Sequence, residues 1–381
     1  MLRDLTIQNY RCFKDFHIDD LARVNLIVGM NNSGKTSLLE AVYLLVNQEN
    51  IQCLIESIHN RGEITESPIS LVSGETHQRS INYQTKHIFY GHQLNHNQII
   101  SLQWQKEYPL SLKIQFSRYV YSTSTPTPAP NTPISQTSSF SEIIDTKRSG
   151  FMLYYSYKQS NPYDGIPALE DGLITAQFFQ SWKQNQFTNS VSKHNPNLFL
   201  TTSIISLEQL AIFWDRITLT PKEESVVTAL KILEPSTERI SFTSHRTSNS
   251  GILLKMHGQP TPIPLGSMGE GMRRILTLAM AAVTVENGFL LVDEIDTGLH
   301  YETQTDMWRL VLEVAQQLNV QVFATTHSWD CISAFQEALD QLEDNSIGKL
   351  FRLSRKGENI RAVEYTPDDL SIAVRQSIEV R

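Results

Sequence analysis

Several features that would narrow a reading are scarce in this chain. The three cysteines among 381 residues, Cys12, Cys53 and Cys331, are scattered, odd in number and without metal-ligand spacing. That argues against a disulfide framework or a cysteine metal site and fits a reducing cytoplasm. Positive charge is short too: 32 Lys and Arg against 40 Asp and Glu leave a net charge of −8. No global positive field advertises nucleic acid, so any basic groove would have to be local. The longest apolar stretch lies within residues 275–285, far below the ~20 residues a membrane helix needs. The opening MLRDLTIQNYRCF alternates like a strand and lacks the basic, apolar, small-residue order of a secretory signal. No heptads persist over several turns, which excludes a long coiled coil. A cytoplasmic protein without membrane contact is expected.

What is present is ordinary in bulk, 40% hydrophobic and 19% charged, with length for one large domain or two. The organising stretch is GMNNSGKTS, residues 29–37, a full match to the phosphate-binding loop G-x-x-x-x-G-K-[ST]. Val24, Leu26, Ile27 and Val28 before it read as a buried strand, and Leu38, Leu39, Val42, Tyr43, Leu45 and Val46 after it recur at helical spacing. Gly29 and Gly34 allow backbone angles and close approach that a side chain would block, so the amides of Asn31, Asn32, Ser33 and Ser37 can face a polyphosphate at a helix N-terminus. Lys35 is placed to reach the β- and γ-phosphates of ATP, and Thr36 to ligate Mg²⁺ through its hydroxyl.

A second set of chemistry-bearing residues lies far downstream. Phe289, Leu290, Leu291 and Val292 run into Asp293 and Glu294, the pattern of a buried parallel strand whose carboxylates emerge at its C-terminal edge. Asp293 there would hold Mg²⁺, and Glu294 would orient and deprotonate an attacking water. Val320, Val322, Phe323 and Ala324 form another strand ending in Thr325, Thr326 and His327. This puts His327 at the same edge, within reach of the γ-phosphate or the water. Between them, residues 296–300 are turn-like and 301–318 an amphipathic helix. LGSMGEGMRR, residues 265–274, opens a helix over 275–285. Its Ser267, Gly269 and Gly271 make a second anion-binding helix start. One nucleotide does not need two such cradles from one subunit, so the second is expected to serve a nucleotide held by another copy.

The rest is less patterned. Strands are expected near residues 5–10 and 13–18, with Arg11 at the turn between them, either solvated there or touching nucleotide. Residues 50–59 look helical, and 99–104, 112–121 and 151–157 look like strands. Residues 122–142, with Pro126, Pro128, Pro130 and Pro133 among serines and threonines, are expected to be a flexible loop. Ser206 to Gln209 reads as a capping box, and Thr220, Pro221 and Glu223 as the start of a further helix. Strands at 240–243, 252–256 and 263–265 follow, then two more at 349–355 and 360–365 and a capped helix from Thr366 and Pro367.

In order, the phosphate loop, SMGEG, LLVDE, DTGLH and the strand-end histidine resemble the ATP-binding-cassette (ABC) ATPases. Within these they are most similar to the RecF and SMC branch, and above all to the AAA-family ATPases of the OLD (overcoming lysogenization defect) group. That resemblance implies an α/β P-loop NTPase fold, an ABC-ATPase-like head of mixed sheet flanked by helices. Residues 1–46 and 230–381 would form the head, and 47–229 an α+β insertion. It implies two heads sandwiching two ATP molecules. Lys35, Thr36 and Asp293 then serve phosphate and Mg²⁺, Glu294 is the catalytic base and His327 the switch histidine. Ser267, Gly269 and Glu270 close on the partner's γ-phosphate, and 296–300 lies at the dimer seam. Met268 stands where the signature usually has glycine, and Gln84 and Gln93 are both candidates for the Q-loop. Only 54 residues follow His327, too few for the Toprim nuclease domain of OLD nucleases. A separately encoded effector, often a nuclease, in phage defence is therefore expected, with DNA a further candidate partner. A RecF-like DNA-binding repair factor is the alternative. A transporter motor is disfavoured by the long insertion and the loop spelling, a GTPase by the absence of N-K-x-D, and small-molecule kinases lack the signature block.

Overall fold

The computed structural model describes residues 1–68, 79–95, 98–106, 109–119, 150–157, 164–169, 171–176, 179, 196–202, 206–243 and 251–381. The expected loop at 122–142 lies outside them.

The chain opens with β1 (Leu5–Tyr10), β2 (Phe13–Ile18) and β3 (Val24–Val28), then α1 (Lys35–Val46) and α2 (Gln52–Asn60). Next come β4 (Ile64–Pro68), β5 (Arg79–Gln84), β6 (Ile99–Trp104), β7 (Leu110–Tyr119), β8 (Gly150–Ser156), β9 (Asp164–Ala168), β10 (Leu173–Thr175) and β11 (Asn197–Leu200). Two helices, α3 (Leu207–Ile217) and α4 (Pro221–Leu230), precede β12 (Thr237–Thr243), β13 (Gly251–Met256) and β14 (Ile263–Pro264). The final third alternates: α5 (Glu270–Thr284), β15 (Phe289–Val292), α6 (Tyr301–Gln317), β16 (Gln321–Thr325), α7 (Trp329–Asp340), then β17 (Gly348–Lys356), β18 (Asn359–Tyr365) and α8 (Pro367–Arg375).

One mixed sheet has the order β11-β15-β16-β3-β17-β18, parallel except for β18. Alternation along its strands divides two cores. Leu26, Val28, Leu290, Val292, Val322 and Ala324 face the cluster built on α3 to α8. Ile27, Leu291, Phe323 and Phe351 face the opposite cluster with α1, α2 and the inner side of an antiparallel sheet. Nearly every residue of these strands is buried, as expected of parallel strands covered on both faces. The mixed α/β head read from the sequence is therefore observed.

Strands from residues 47–229 join both large sheets. The antiparallel sheet runs β2-β1-β6-β7-β8-β9, so four strands of the expected insertion extend a sheet begun by residues 5–18. Strand β11 is an edge of the mixed sheet, paired with β15. The reason is physical: an edge left open by β1 is completed by whichever strand pairs with it, and pairing across some 95 residues leaves no local pattern. Helix starts were legible. Ser206 and Gln209 make the reciprocal capping box of α3, and Thr366 and Asp369 that of α8. Thr220 does not cap α4 with its side chain; Glu223 instead accepts from the Leu219 amide at 2.8 Å.

Candidate functional site

Register brings the distant segments to one edge. Val292 of β15 lies beside Ala324 of β16, and Thr325 of β16 beside Ile27 of β3. Gly29, Asp293 and Thr326 therefore leave three adjacent parallel strands together, at the carboxyl edge where α/β sheets bind ligands.

The loop 29–37 is built as its sequence demands. Gly29 has φ +147° and Gly34 φ +100°. A Cβ at Gly29 would stand 2.7 Å from the Leu353 carbonyl oxygen and from Ser33 Oγ, and one at Gly34 would stand 2.8 Å from Cys12 Sγ. Gly34 is the N-cap of α1 and no side chain caps that helix, leaving the first-turn amides to the loop. Lys35 folds back to donate to the carbonyls of Gly29 at 2.7 Å and Met30 at 3.1 Å. Burial pulls its pKa down, against the pull of Asp293 and Glu294. Asn31, Asn32 and Met30 are exposed at the tip, Ser33 and Ser37 buried beneath it.

Asp293, 7% exposed, is held on both oxygens. Thr36 donates to Oδ2 at 2.8 Å and Thr325 to Oδ1 at 2.5 Å. The Thr325 hydroxyl also accepts from the Glu294 amide at 2.9 Å, while Thr326 donates to Asp296 at 2.7 Å. The two threonines before His327 thus fasten the acidic loop, a role that sequence reading missed. Glu294 adopts φ +48°, a left-handed conformation that costs a residue with a side chain about 1–3 kcal/mol. Its carboxylate lies 3.6 Å from His327 Nδ1, with both side chains partly open to solvent.

Arg274, also missed, reaches this loop from α5. Its Nη2 donates to the carbonyls of Glu294 at 2.7 Å and Asp293 at 3.3 Å, and Nε to Ile295 at 3.4 Å. The only signal in the sequence was its place four residues into a helix opened by SMGEG.

Ser267, Gly269 and Glu270 are exposed at the start of α5. Gly269, φ +88°, is the N-cap without a side-chain bond. Glu270 lies against Gly298, where its Cγ would stand 3.2 Å from an added Cβ. This start therefore packs on the turn 296–300. Among the described residues, no hydrogen bond or ion pair joins Ser267, Gly269 or Glu270 to residues 29–37.

Arg11 is a correction. It sits in the expected turn, φ +50°, yet it is neither solvated nor free for nucleotide. The side chain is buried, with Nε 2.7 Å from Glu40 and Nη1 2.6 Å from Glu63. Arg61 completes this cluster, 2.7 Å from Glu40 and donating to Ser37 Oγ at 3.1 Å. Gln84 contacts His87 at 2.9 Å, which singles it out no further as a Q-loop residue.

No helix among the described residues is long and apolar enough to cross a membrane. Nor do the described residues hold a group of three or more His, Cys, Asp and Glu able to bind a metal alone. The hydroxyl of Thr36 beside the carboxylate of Asp293 is the oxygen donor set that suits Mg²⁺, a cation that takes one or two protein ligands and completes its shell with phosphate and water.

Comparison with known proteins adds the following. The family model described as AAA ATPase domain matches residues 1–332. A curated protein of Helicobacter pylori described as an ATP/GTP phosphatase is 22% identical over 379 residues, 97% of each chain. The DNA replication and repair protein RecF of Lactobacillus acidophilus is 48% identical over 44 residues, 12% of each chain. Among solved structures, an SMC head bound to the C-winged helix domain of ScpA is similar over 96% of this chain and 98% of its own, at 12% identity and a TM-score of 0.47.

Proposed function

The chain belongs to the AAA ATPase domain family, and from that premise we propose that it hydrolyses ATP with Mg²⁺ in a head-to-head dimer of two copies. Each nucleotide lies between residues 29–37 of one copy and Ser267, Gly269 and Glu270 of the other. The observation that carries this reading is that Ser267, Gly269 and Glu270 stand exposed at the start of α5 and, among the described residues, make no hydrogen bond or ion pair with the phosphate loop of their own chain.

Within one site, Lys35 exchanges its contacts with the Gly29 and Met30 carbonyls for the β- and γ-phosphate oxygens, and the first-turn amides of α1 face the same charge. Thr36 and Asp293 would hold Mg²⁺, which when bound neutralises charge on the β- and γ-oxygens. Glu294 takes the proton of the attacking water, and His327 beside it orients that water or the γ-phosphate. ADP and phosphate leave, and the two heads separate. Resemblance to the OLD group supports a downstream role in which opening and closing pass to a separate effector, a nuclease being the expected kind, in defence against phage.

The Glu294→Gln variant tests this. It should bind ATP with Mg²⁺, lose about 100-fold or more in turnover as expected for a missing general base, and elute as an ATP-dependent dimer. A monomer with full turnover at all concentrations would overturn the reading. The local match to RecF supports a second reading, direct binding to DNA, against which the net charge of −8 weighs. Salt-sensitive binding of duplex DNA by the purified chain would favour it.

A further inference from the structure

Arg274 stands on the element that carries the signature loop, yet every contact it makes at the site is to the acidic loop. Its guanidinium meets the carbonyl oxygens of three consecutive residues, Asp293, Glu294 and Ile295. Carbonyls in a strand alternate in direction, so three in a row cannot converge on one donor. Here they converge because β15 ends at Val292 and Glu294 takes its left-handed turn, φ +48°. The planar guanidinium offers several donors in a fixed fork, which a lysine cannot reproduce. On the other side, Thr325 Oγ1 accepts from the Glu294 amide and the Thr325 carbonyl from the Ile295 amide at 3.0 Å, while within the loop the Thr297 amide donates to the Glu294 carbonyl at 3.1 Å and the Thr297 hydroxyl to its carboxylate at 3.5 Å. Glu294 is thus held on its N–H side by β16 and on its C=O side by Arg274 of α5 together with the Thr297 amide of the loop itself. Only α5 also carries a loop proposed to meet a second copy.

We propose that Arg274 is a positioning residue for the base Glu294, so that it acts for the nucleotide its own chain binds and not for the site its signature loop serves. Loss of the clamp frees the left-handed turn and lets the Glu294 carboxylate leave the line of attack. Asp293 keeps Thr36 and Thr325, so nucleotide and metal binding are spared. The inference rests on the composite dimer proposed above.

Complementation separates the possibilities. In a mixed dimer, Lys35→Ala and Ser267→Arg damage different halves of one composite site, so mixing these two variants should restore part of the turnover. Arg274→Gln should lower kcat about 10- to 100-fold with KM and ATP affinity unchanged, and Arg274→Lys should recover part of the loss. Mixed with Ser267→Arg, Arg274→Gln should regain turnover, because one site then has an intact Lys35, Glu294 and Arg274 from one chain and an intact Ser267 from the other. Mixed with Lys35→Ala it should not. The reverse pattern would assign Arg274 to the signature loop and overturn the proposal, as would recovery with both partners or with neither. If Lys35→Ala and Ser267→Arg themselves fail to complement, the composite reading falls. The proposal for Arg274 is then decided by the homogeneous variant, where a raised KM or weakened ATP binding with kcat unchanged overturns it. Circular dichroism and ATP affinity of each variant establish that it is folded.

Discussion

Two arginines, Arg11 buried beneath α1 and Arg274 half-buried at the sheet edge, meet opposite surroundings. Around Arg11 burial works against the charge, but Tyr10, Glu40 and Glu63 outweigh it and the pKa is raised. Around Arg274 burial wins over Asp296, Asp293, Glu294 and Glu270, and the pKa is lowered. Both stay protonated at any ordinary pH; what differs is how completely each is matched. The first cluster is closed, with ion pairs at 2.6–2.7 Å between Arg11, Arg61, Glu40 and Glu63. At the second, Arg274 binds neutral carbonyls, Lys35 binds the loop's own carbonyls, and the carboxylates are held by hydroxyls. The closed cluster supports the helix carrying the phosphate loop. The open one keeps its charges available to a ligand.

This contrast can be broken from either side. The largest effect on stability is expected from Glu40→Ala, which takes the carboxylate from Arg61 and leaves Arg11 with Glu63 alone. Breaking a buried pair in this way costs about 3–5 kcal/mol, to be read from the urea unfolding midpoint. Nucleotide affinity measured well below that midpoint should change little, and a large loss of affinity without loss of stability would erase the distinction between the clusters. A smaller effect is expected from Thr325→Val, which keeps the volume but removes the hydroxyl shared by Asp293 and the Glu294 amide. Leaving those groups unsatisfied costs about 1–3 kcal/mol, and kcat should fall roughly tenfold in steady-state assays while the protein stays folded. The smallest is Lys14→Ala. Its partner Glu358 lies 3.2 Å away with both side chains largely exposed, so stability and turnover should match the unaltered protein.

Legibility followed distance along the chain. The phosphate loop, the acid pair after β15, the strand-end histidine and the capping boxes are local patterns, and each was readable from a few adjacent residues. What joins them is not. Thr36 finds Asp293 across 257 residues and Glu294 finds Thr325 across 31. The role of Thr325 therefore became visible only once the strands were aligned. Arg11 was misjudged for a related reason. A turn between two strands is usually exposed, but Glu40 and Glu63 on other elements close over this one. Which sheet strands β6 to β9 join was not legible, because they carry the same alternation whether they form their own sheet or extend another.

The position of β3 has a consequence for the birth of the molecule. Asn25, at the centre of the sheet, donates to the Val322 carbonyl 297 residues further on, and both neighbours of β3, β16 and β17, come from the last sixth of the chain. At about 5–20 residues per second of synthesis, β3 waits roughly 15–60 s on the ribosome before either partner exists. Through that interval Val24, Leu26, Ile27 and Val28 have no place to go. This sheet is accordingly expected to form only after β16 and β17 have been made and to need chaperone protection before then.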